Sequence, residues 1–91
     1  MKIVDWNEAK NMQLRMERDI SFDEVMIAIE GGNLLDVIRH PNIERYTNQK
    51  IFVVEIRNYA YLVPFVEDNE KIFLKTIIPS RKATKKYLLN K

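Results

Sequence analysis

The 91 residues predict a single α+β domain, with two N-terminal helices, a four-stranded antiparallel sheet and a C-terminal helix. Three observations carry this prediction. Two capping signatures, each followed by apolar residues at helical spacing, occupy the segment before Gly31-Gly32. Beyond those glycines the apolar period falls to two, and short polar turns separate the runs. At Pro79-Ser80 the pattern becomes helical again, now rich in lysine.

The first helix is expected to begin near Asp5, which with Glu8 has the spacing of a capping box. Ala9, Met12 and Met16 then share one stripe, with Lys10, Asn11, Arg15 and Arg18 on the opposite surface and Asp19 as terminator. Trp6, at the start of this helix, is read as an anchor for the domain edge, with stacking on a base as the alternative. The second helix has a stronger box, Ser21 with Glu24, flanked by Ile20 and Val25 at the positions of a hydrophobic staple. Phe22, Val25, Met26 and Ile29 give it an i, i+3, i+4, i+7 core face. Gly31-Gly32 closes it, because glycine enters the left-handed conformation that helix ends commonly need.

Leu34 to Ile38 reads as the first strand, broken at His40-Pro41-Asn42 and followed by a polar loop to Asn48. Lys50 to Arg57 is the clearest strand, with Phe52, Val54 and Ile56 on one face and Ile51, Val53, Glu55 and Arg57 on the other. Asn58-Tyr59 is the expected turn, and Ala60 to Val66 the return strand. Pro64 requires that strand to lie at an edge or bulge, or its ladder to skip a bond. Glu67 to Glu70 is a second turn, and Ile72 to Ile78 a fourth strand in an antiparallel meander. Ser80 suits the N-cap of a last helix over Arg81 to Asn90. On its wheel Arg81, Lys82, Lys85 and Lys86 share one arc, while Ala83, Thr84, Tyr87 and Leu88 face the sheet.

Charge is divided unevenly along the chain. Lys71 to Lys91 holds seven basic side chains and no carboxylate, whereas the preceding residues hold eight Lys/Arg against thirteen Asp/Glu. The net +2 thus averages an acidic body and a basic end, which points to an anionic partner. A solvated lysine-rich helix is the alternative. Against it, two like-charged i, i+4 pairs (Arg81/Lys85 and Lys82/Lys86) repel without an intervening acid, which stability alone does not favour.

Absences narrow the function classes. No apolar run approaches the ~20 residues of a membrane span, and the N-terminus lacks signal-peptide character, so a cytoplasmic location is expected. The chain has no cysteine, and His40 is its one histidine, so no thiolate or multi-histidine metal site is expected. Glycine occurs only as Gly31-Gly32 and serine only as Ser21 and Ser80. Phosphate-cradling loops, dinucleotide fingerprints and nucleophile elbows are therefore excluded, and no cofactor is expected.

Two stretches resemble the BrnT family of bacterial toxins, from type II toxin–antitoxin pairs. The first is Trp6-Asn7-Glu8-Ala9-Lys10-Asn11, followed at the family's spacing by Ile20-Ser21-Phe22-Asp23-Glu24-Val25. The second, Ile77-Ile78-Pro79-Ser80-Arg81-Lys82-Ala83-Thr84-Lys85-Lys86-Tyr87, is similar to the family's closing Ile-Ser-Ala-Arg-Lys-Ala-Thr helix. The resemblance implies a RelE-like fold, metal-independent RNA cleavage that arrests translation, and a cognate DNA-binding antitoxin. Departures are Glu17-Arg18 in place of a Lys-His pair, Thr76 with Lys75 beside it where an arginine is usual, and Lys85-Lys86-Tyr87 without the family's glutamate.

Metal-free RNA cleavage needs groups that move the 2′-hydroxyl and leaving-group protons, and cations that offset charge on the phosphorane. Arg81 suits the last task, because its planar fork grips two phosphate oxygens. Lys82, Lys85 and Lys86 suit phosphate contacts. Lys75, alternating with Phe73 and Ile77 on one sheet face, either lines a cleft or lays its stem over the core. Tyr87 either packs on the sheet or donates a proton or a stacking surface. His40, with the one side chain that titrates near neutrality when unperturbed, is a further catalytic candidate, with a solvent-facing loop residue as the alternative. The carboxylates Asp19, Asp23, Glu24, Glu67, Asp68 and Glu70 read as a solvated surface, since no spacing singles one out as a base.

Overall fold

The computed structural model describes residues 2–39 and 49–89. The elements run β1 (Ile3–Trp6), α1 (Glu8–Arg18), α2 (Phe22–Glu30), β2 (Leu34–Arg39), β3 (Gln49–Ile56), β4 (Tyr59–Glu67), β5 (Lys71–Leu74), β6 (Ile78–Pro79) and α3 (Arg81–Thr84). Of the last helix expected over Arg81 to Asn90, only this first turn is α-helical; a π-helical turn over Lys85–Leu89 continues it, and Asn90 lies outside the described residues. The α+β class stands. The sheet, however, is six-stranded and mixed, in the order β1-β5-β4-β3-β2 with β6 also pairing with β4. Among the described residues, no helix is long and apolar enough to cross a membrane.

The β3–β4 hairpin is the centre of the sheet, in continuous register from Gln49↔Val66 to Ile56↔Tyr59. Its turn is Arg57-Asn58, one residue earlier than expected, with φ of 52° and 66°. Both values are positive, as a type I′ hairpin turn requires. Asn58 tolerates this; Arg57 is held there by its guanidinium, which donates to Glu24 Oε2 (2.9 Å) and to the Asp19 carbonyl (2.7 Å). Pro64 sits inside β4, and its carbonyl accepts from Lys75 N across the gap between β5 and β6. The nitrogen of a strand residue faces the same side as its carbonyl, so the bond that proline cannot make falls where the neighbouring strand is interrupted. The expected single strand Ile72 to Ile78 is thereby split in two. Leu74 and Ile77 both enter the same core, so Ile77 does not share a face with Phe73 and Lys75.

Both sheet faces are covered. Phe52, Val54 and Ile56 with Val63, Phe65 and Leu74 pack under α1 and α2, where they meet Leu14, Ile20, Phe22, Val25 and Ala28. Val53 and Ala60, from the alternate positions, meet Ala83, with Leu35, Ile38, Leu62, Tyr87 and Leu88 around them. The basic helix therefore lies on the opposite side of the sheet from α1 and α2.

The N-terminal segment differs most from expectation. Ile3–Trp6 is a strand, parallel to β5 in the register Ile3↔Lys71 to Trp6↔Leu74. Its partner is remote in sequence, and four residues are too few for alternation to declare itself. Asn7, not Asp5, caps α1 by accepting from Lys10 N. Glu8 instead accepts from the Trp6 indole N–H (2.6 Å), and the Trp6 ring stacks on Phe22, which makes it an anchor. The expected stripe of α1 is exposed, Met12 at 58% and Met16 at 84%. Asn11 and Leu14 are buried instead, and Arg18 one turn on donates to the Ile77 carbonyl. Asn11 decides this orientation: its Oδ1 accepts from Phe22 N (2.8 Å), a free amide at the start of α2, and its Nδ2 donates to Asp23. Asp19 ends the helix, as expected, and does so in the left-handed conformation, which the sequence did not indicate.

Helix α2 follows its sequence signals. Ser21 Oγ accepts from Glu24 N, and Ile20 and Val25 are both buried. At its end Gly32, at φ 86°, allows Gly32 N and Asn33 N to donate back to Ile29 and Ala28, which is a Schellman closure. Replacing Asn11 with leucine should cost about 1–3 kcal/mol, because the buried Phe22 amide loses its acceptor. Met12→Ala should stay within about 0.5 kcal/mol. Urea unfolding of the two variants compares these effects directly, and a larger loss from Met12→Ala would restore the methionine stripe as the core face.

Candidate nucleic-acid interface

The basic helix is fixed to the sheet by backbone groups of Ala60. Ser80 N donates to the Ala60 carbonyl (3.0 Å), and Ala60 N donates to Thr84 Oγ1 (2.9 Å). Thr84 in turn donates to the Ser80 carbonyl, and Ser80 Oγ accepts from Ala83 N as the expected cap. A buried strand residue thus has both polar groups satisfied by a helix start rather than by another strand. Ala83 and Thr84 face inward, and Arg81, Lys82, Lys85 and Lys86 all face solvent, as the wheel requires.

Those four cations and Lys75 form no ion pair among the described residues. Much of the acidic body is already engaged: Asp23 with Arg15, Glu24 with Arg57, Glu67 with Lys2 and Lys50, and Asp5 with Lys71. Lys2 and Lys50 hold the Glu67 carboxyl below the usual range. The Glu70 and Lys71 amides do the same for Asp68, which fixes the β4–β5 turn. Positive potential is left concentrated along α3.

Tyr87 has the most specific contact on this helix. Its hydroxyl donates to Asp36 Oδ2 (2.6 Å), while Asp36 Oδ1 accepts from Val37 N. The bond to Tyr87, the Val37 amide and the charge of Lys86 together hold the Asp36 carboxyl below its usual range, against a smaller opposing effect of burial. The same bond, with burial and the carboxylate charge, pushes the Tyr87 phenol up. Lys86 Nζ lies 5.2 Å from the Tyr87 ring centroid, within cation–π range.

Asp36 reaches Tyr87 because β2 is bulged. Leu34 pairs with Val54 and Asp36 with Val53, which leaves Leu35 as the extra residue. Strict alternation would set Asp36 beside Leu34, in the core under α1 and α2. The bulge turns Leu35 and Asp36 together toward α3. Sequence reasoning gave Asp36 no role. The signal was a lone carboxylate between Leu34 and Ile38 on what alternation makes one apolar face.

Between α3 and the sheet lies a cleft of about 240 Å³, lined by Ile38, Val53 and Leu62 on the sheet and by Ser80, Lys82, Ala83, Lys86 and Tyr87 on the helix side. It gathers three of the candidate residues, Lys82, Lys86 and Tyr87, with Arg81 and Lys85 on the same exposed helix. Lys75 is exposed in the segment between β5 and β6 and does not line the cleft. His40 lies outside the described residues. Ser80, read only as a cap, also borders the cleft. No protein family, curated protein or solved structure matches the chain.

The Asp36–Tyr87 bond should leave a signature in pH-dependent stability. A depressed carboxyl pKa stabilises the fold above the usual carboxylate range and is lost as pH falls through the depressed value. A raised phenol pKa stabilises it below the usual phenol value and is lost as pH climbs through the raised one. Tyr87→Phe should therefore lower the melting temperature at neutral pH, with the gap to the parent closing in both strong acid and strong alkali. Thermal melts across the pH range check this; a gap independent of pH would show that the two groups are not linked.

Proposed function

We propose that the chain is the toxin of a type II toxin–antitoxin pair, an RNA-cleaving enzyme of RelE-like kind that arrests translation through its own side chains. The observation that carries this reading is the exposed α3 face. Four cations stand there, none of them in a salt bridge among the described residues, beside a cleft that also holds Tyr87. Arg81, at the first turn of α3, offsets charge that builds on the phosphorane. Lys82, Lys85 and Lys86 hold neighbouring phosphates, and Lys75 extends that contact from the β5–β6 segment. Tyr87 protonates the leaving oxygen by exchanging its bond to Asp36 for one to the substrate, while solvent water takes the 2′-hydroxyl proton and returns one to the phenolate. The partner is a DNA-binding antitoxin whose acidic or amphipathic segment covers the basic face, with charge speeding the encounter and apolar burial supplying most of the affinity.

One observation favours a second reading, a non-catalytic module that docks on the same partner. The Tyr87 hydroxyl is already committed to Asp36, and its raised pKa makes it a weaker proton donor. Controlled expression in bacteria separates the two. Growth arrest with RNA cleavage, abolished by Arg81→Ala, is the expected result; no arrest and no cleavage by the purified chain would leave the docking module.

Phosphate contacts release counterions, so RNA affinity should fall steeply with salt. With ~3–4 phosphates engaged on single-stranded RNA, log K against log salt should slope at about −2 to −3. The double variant Lys82→Ala/Lys85→Ala should flatten the slope by roughly 1.4, at ~0.7 per lost contact. Stability should barely change, because both side chains lie off the buried face. Titrations at several salt concentrations measure this, and an unchanged slope would remove α3 from the interface.

A further inference from the structure

We infer that the cleft between α3 and the sheet is a receptor for one unpaired nucleobase, so that the protein selects single-stranded over duplex RNA. This rests on the nucleic-acid reading above and adds to it what the apolar side of the interface does.

The floor of the cleft is apolar, made by Ile38, Val53 and Leu62, and its helix side carries Lys82 and Lys86. Ile38 and Leu62 are only partly covered by α3, so apolar surface stays open next to two ammonium groups. An occupant that satisfies both must be flat and apolar-faced with an anion attached close by. A nucleotide has that form: the ring system covers the aliphatic floor, and its phosphate reaches the lysines.

Two polar groups at the cleft can address the edge of a base. Ser80 Oγ accepts from Ala83 N, which leaves its hydroxyl hydrogen free to donate. The Tyr87 oxygen gives its hydrogen to Asp36 and keeps lone pairs to accept from an exocyclic amino group. A few polar groups at an apolar cavity are what fixes orientation in a ligand site.

Size sets the limit on the occupant. At about 240 Å³, the cleft is smaller than the roughly 300–1,000 Å³ of drug-sized sites. It suits a single ring system rather than the face of a partner helix. A base inside a duplex is stacked and paired, and cannot lay its face on Ile38 and Leu62 unless it is first extruded. Unpaired bases, in contrast, are free to use any apolar or aromatic platform.

The test measures binding of the full chain to three labelled probes: a single-stranded oligoribonucleotide of mixed sequence, the same strand with abasic riboses that keep every phosphate, and the corresponding duplex. The intact single strand should bind about tenfold tighter than the abasic one, the scale of one base losing its platform, and tighter than the duplex. Leu62→Ser, which removes the apolar side chain from the floor at a partly exposed position, should bring the intact strand down to the abasic affinity without changing the salt slope. Equal affinity of the unmodified chain for intact and abasic strands, with normal salt dependence, would overturn the inference and leave the nucleic-acid reading standing. A duplex bound as tightly as the single strand would do the same. If no strand binds at low salt, the nucleic-acid reading fails and this inference fails with it. If an acidic amphipathic peptide binds, is lost in Leu62→Ser and is not displaced by the single strand, the cleft is a protein-docking site and the inference is overturned.

Discussion

The β3–β4 hairpin carries both halves of the molecule, because its two strands are apolar on both faces. Phe52, Val54, Val63 and Phe65 support α1 and α2, while Val53, Ala60 and Leu62 support α3. A strand with one polar face would seat only one of these layers. Its turn is tied into the helical layer as well. Arg57 and Asp19 both adopt the left-handed conformation, and the Arg57 guanidinium binds the Asp19 carbonyl and the Glu24 carboxylate. The junction of α1 and α2 thereby fixes the end of the hairpin, and the hairpin fixes the place where α3 docks.

The candidate interface depends on two local irregularities in an otherwise regular sheet. Pro64 interrupts the outer ladder of β4, so β5 ends and the chain turns inward at Ile77 before β6 leads into α3. The bulge at Leu35 turns Asp36 across to Tyr87. Bulges recur where a side chain must be re-aimed, and here the carboxylate becomes the latch of the helix that carries the free cations. Charge follows the same layering, with many acids bound up in salt bridges elsewhere and the cations of α3 left open to solvent.

Legibility in the sequence followed the range of each interaction. Ser21, Ser80 and Gly32 act within a few residues of themselves, and their caps and turns match the sequence signals. The long alternation of β3 was equally plain. The buried stripe of α1 is hidden from its hydrophobic pattern, because Leu14 is its apolar member, between a hydrogen-bonding asparagine and an arginine. Hydrophobic periodicity instead picked out two methionines that face solvent. Of the candidate site, the cationic face of α3 was visible on a helical wheel, whereas Asp36 and the cleft floor were not.

The sequence by itself determined the class of the fold, the caps and faces of α2 and α3, the two-sided β3 strand and the segregation of charge, because each is written in residues close together along the chain. The tertiary structure alone decided that Ile3–Trp6 pairs with β5, that Asn11 rather than Met12 faces inward, that α3 lies across the sheet from the other helices, and that Asp36 holds Tyr87. Each of these joins residues remote in sequence. Which of several chemically acceptable partners such a group finds is settled only when the whole core packs at once.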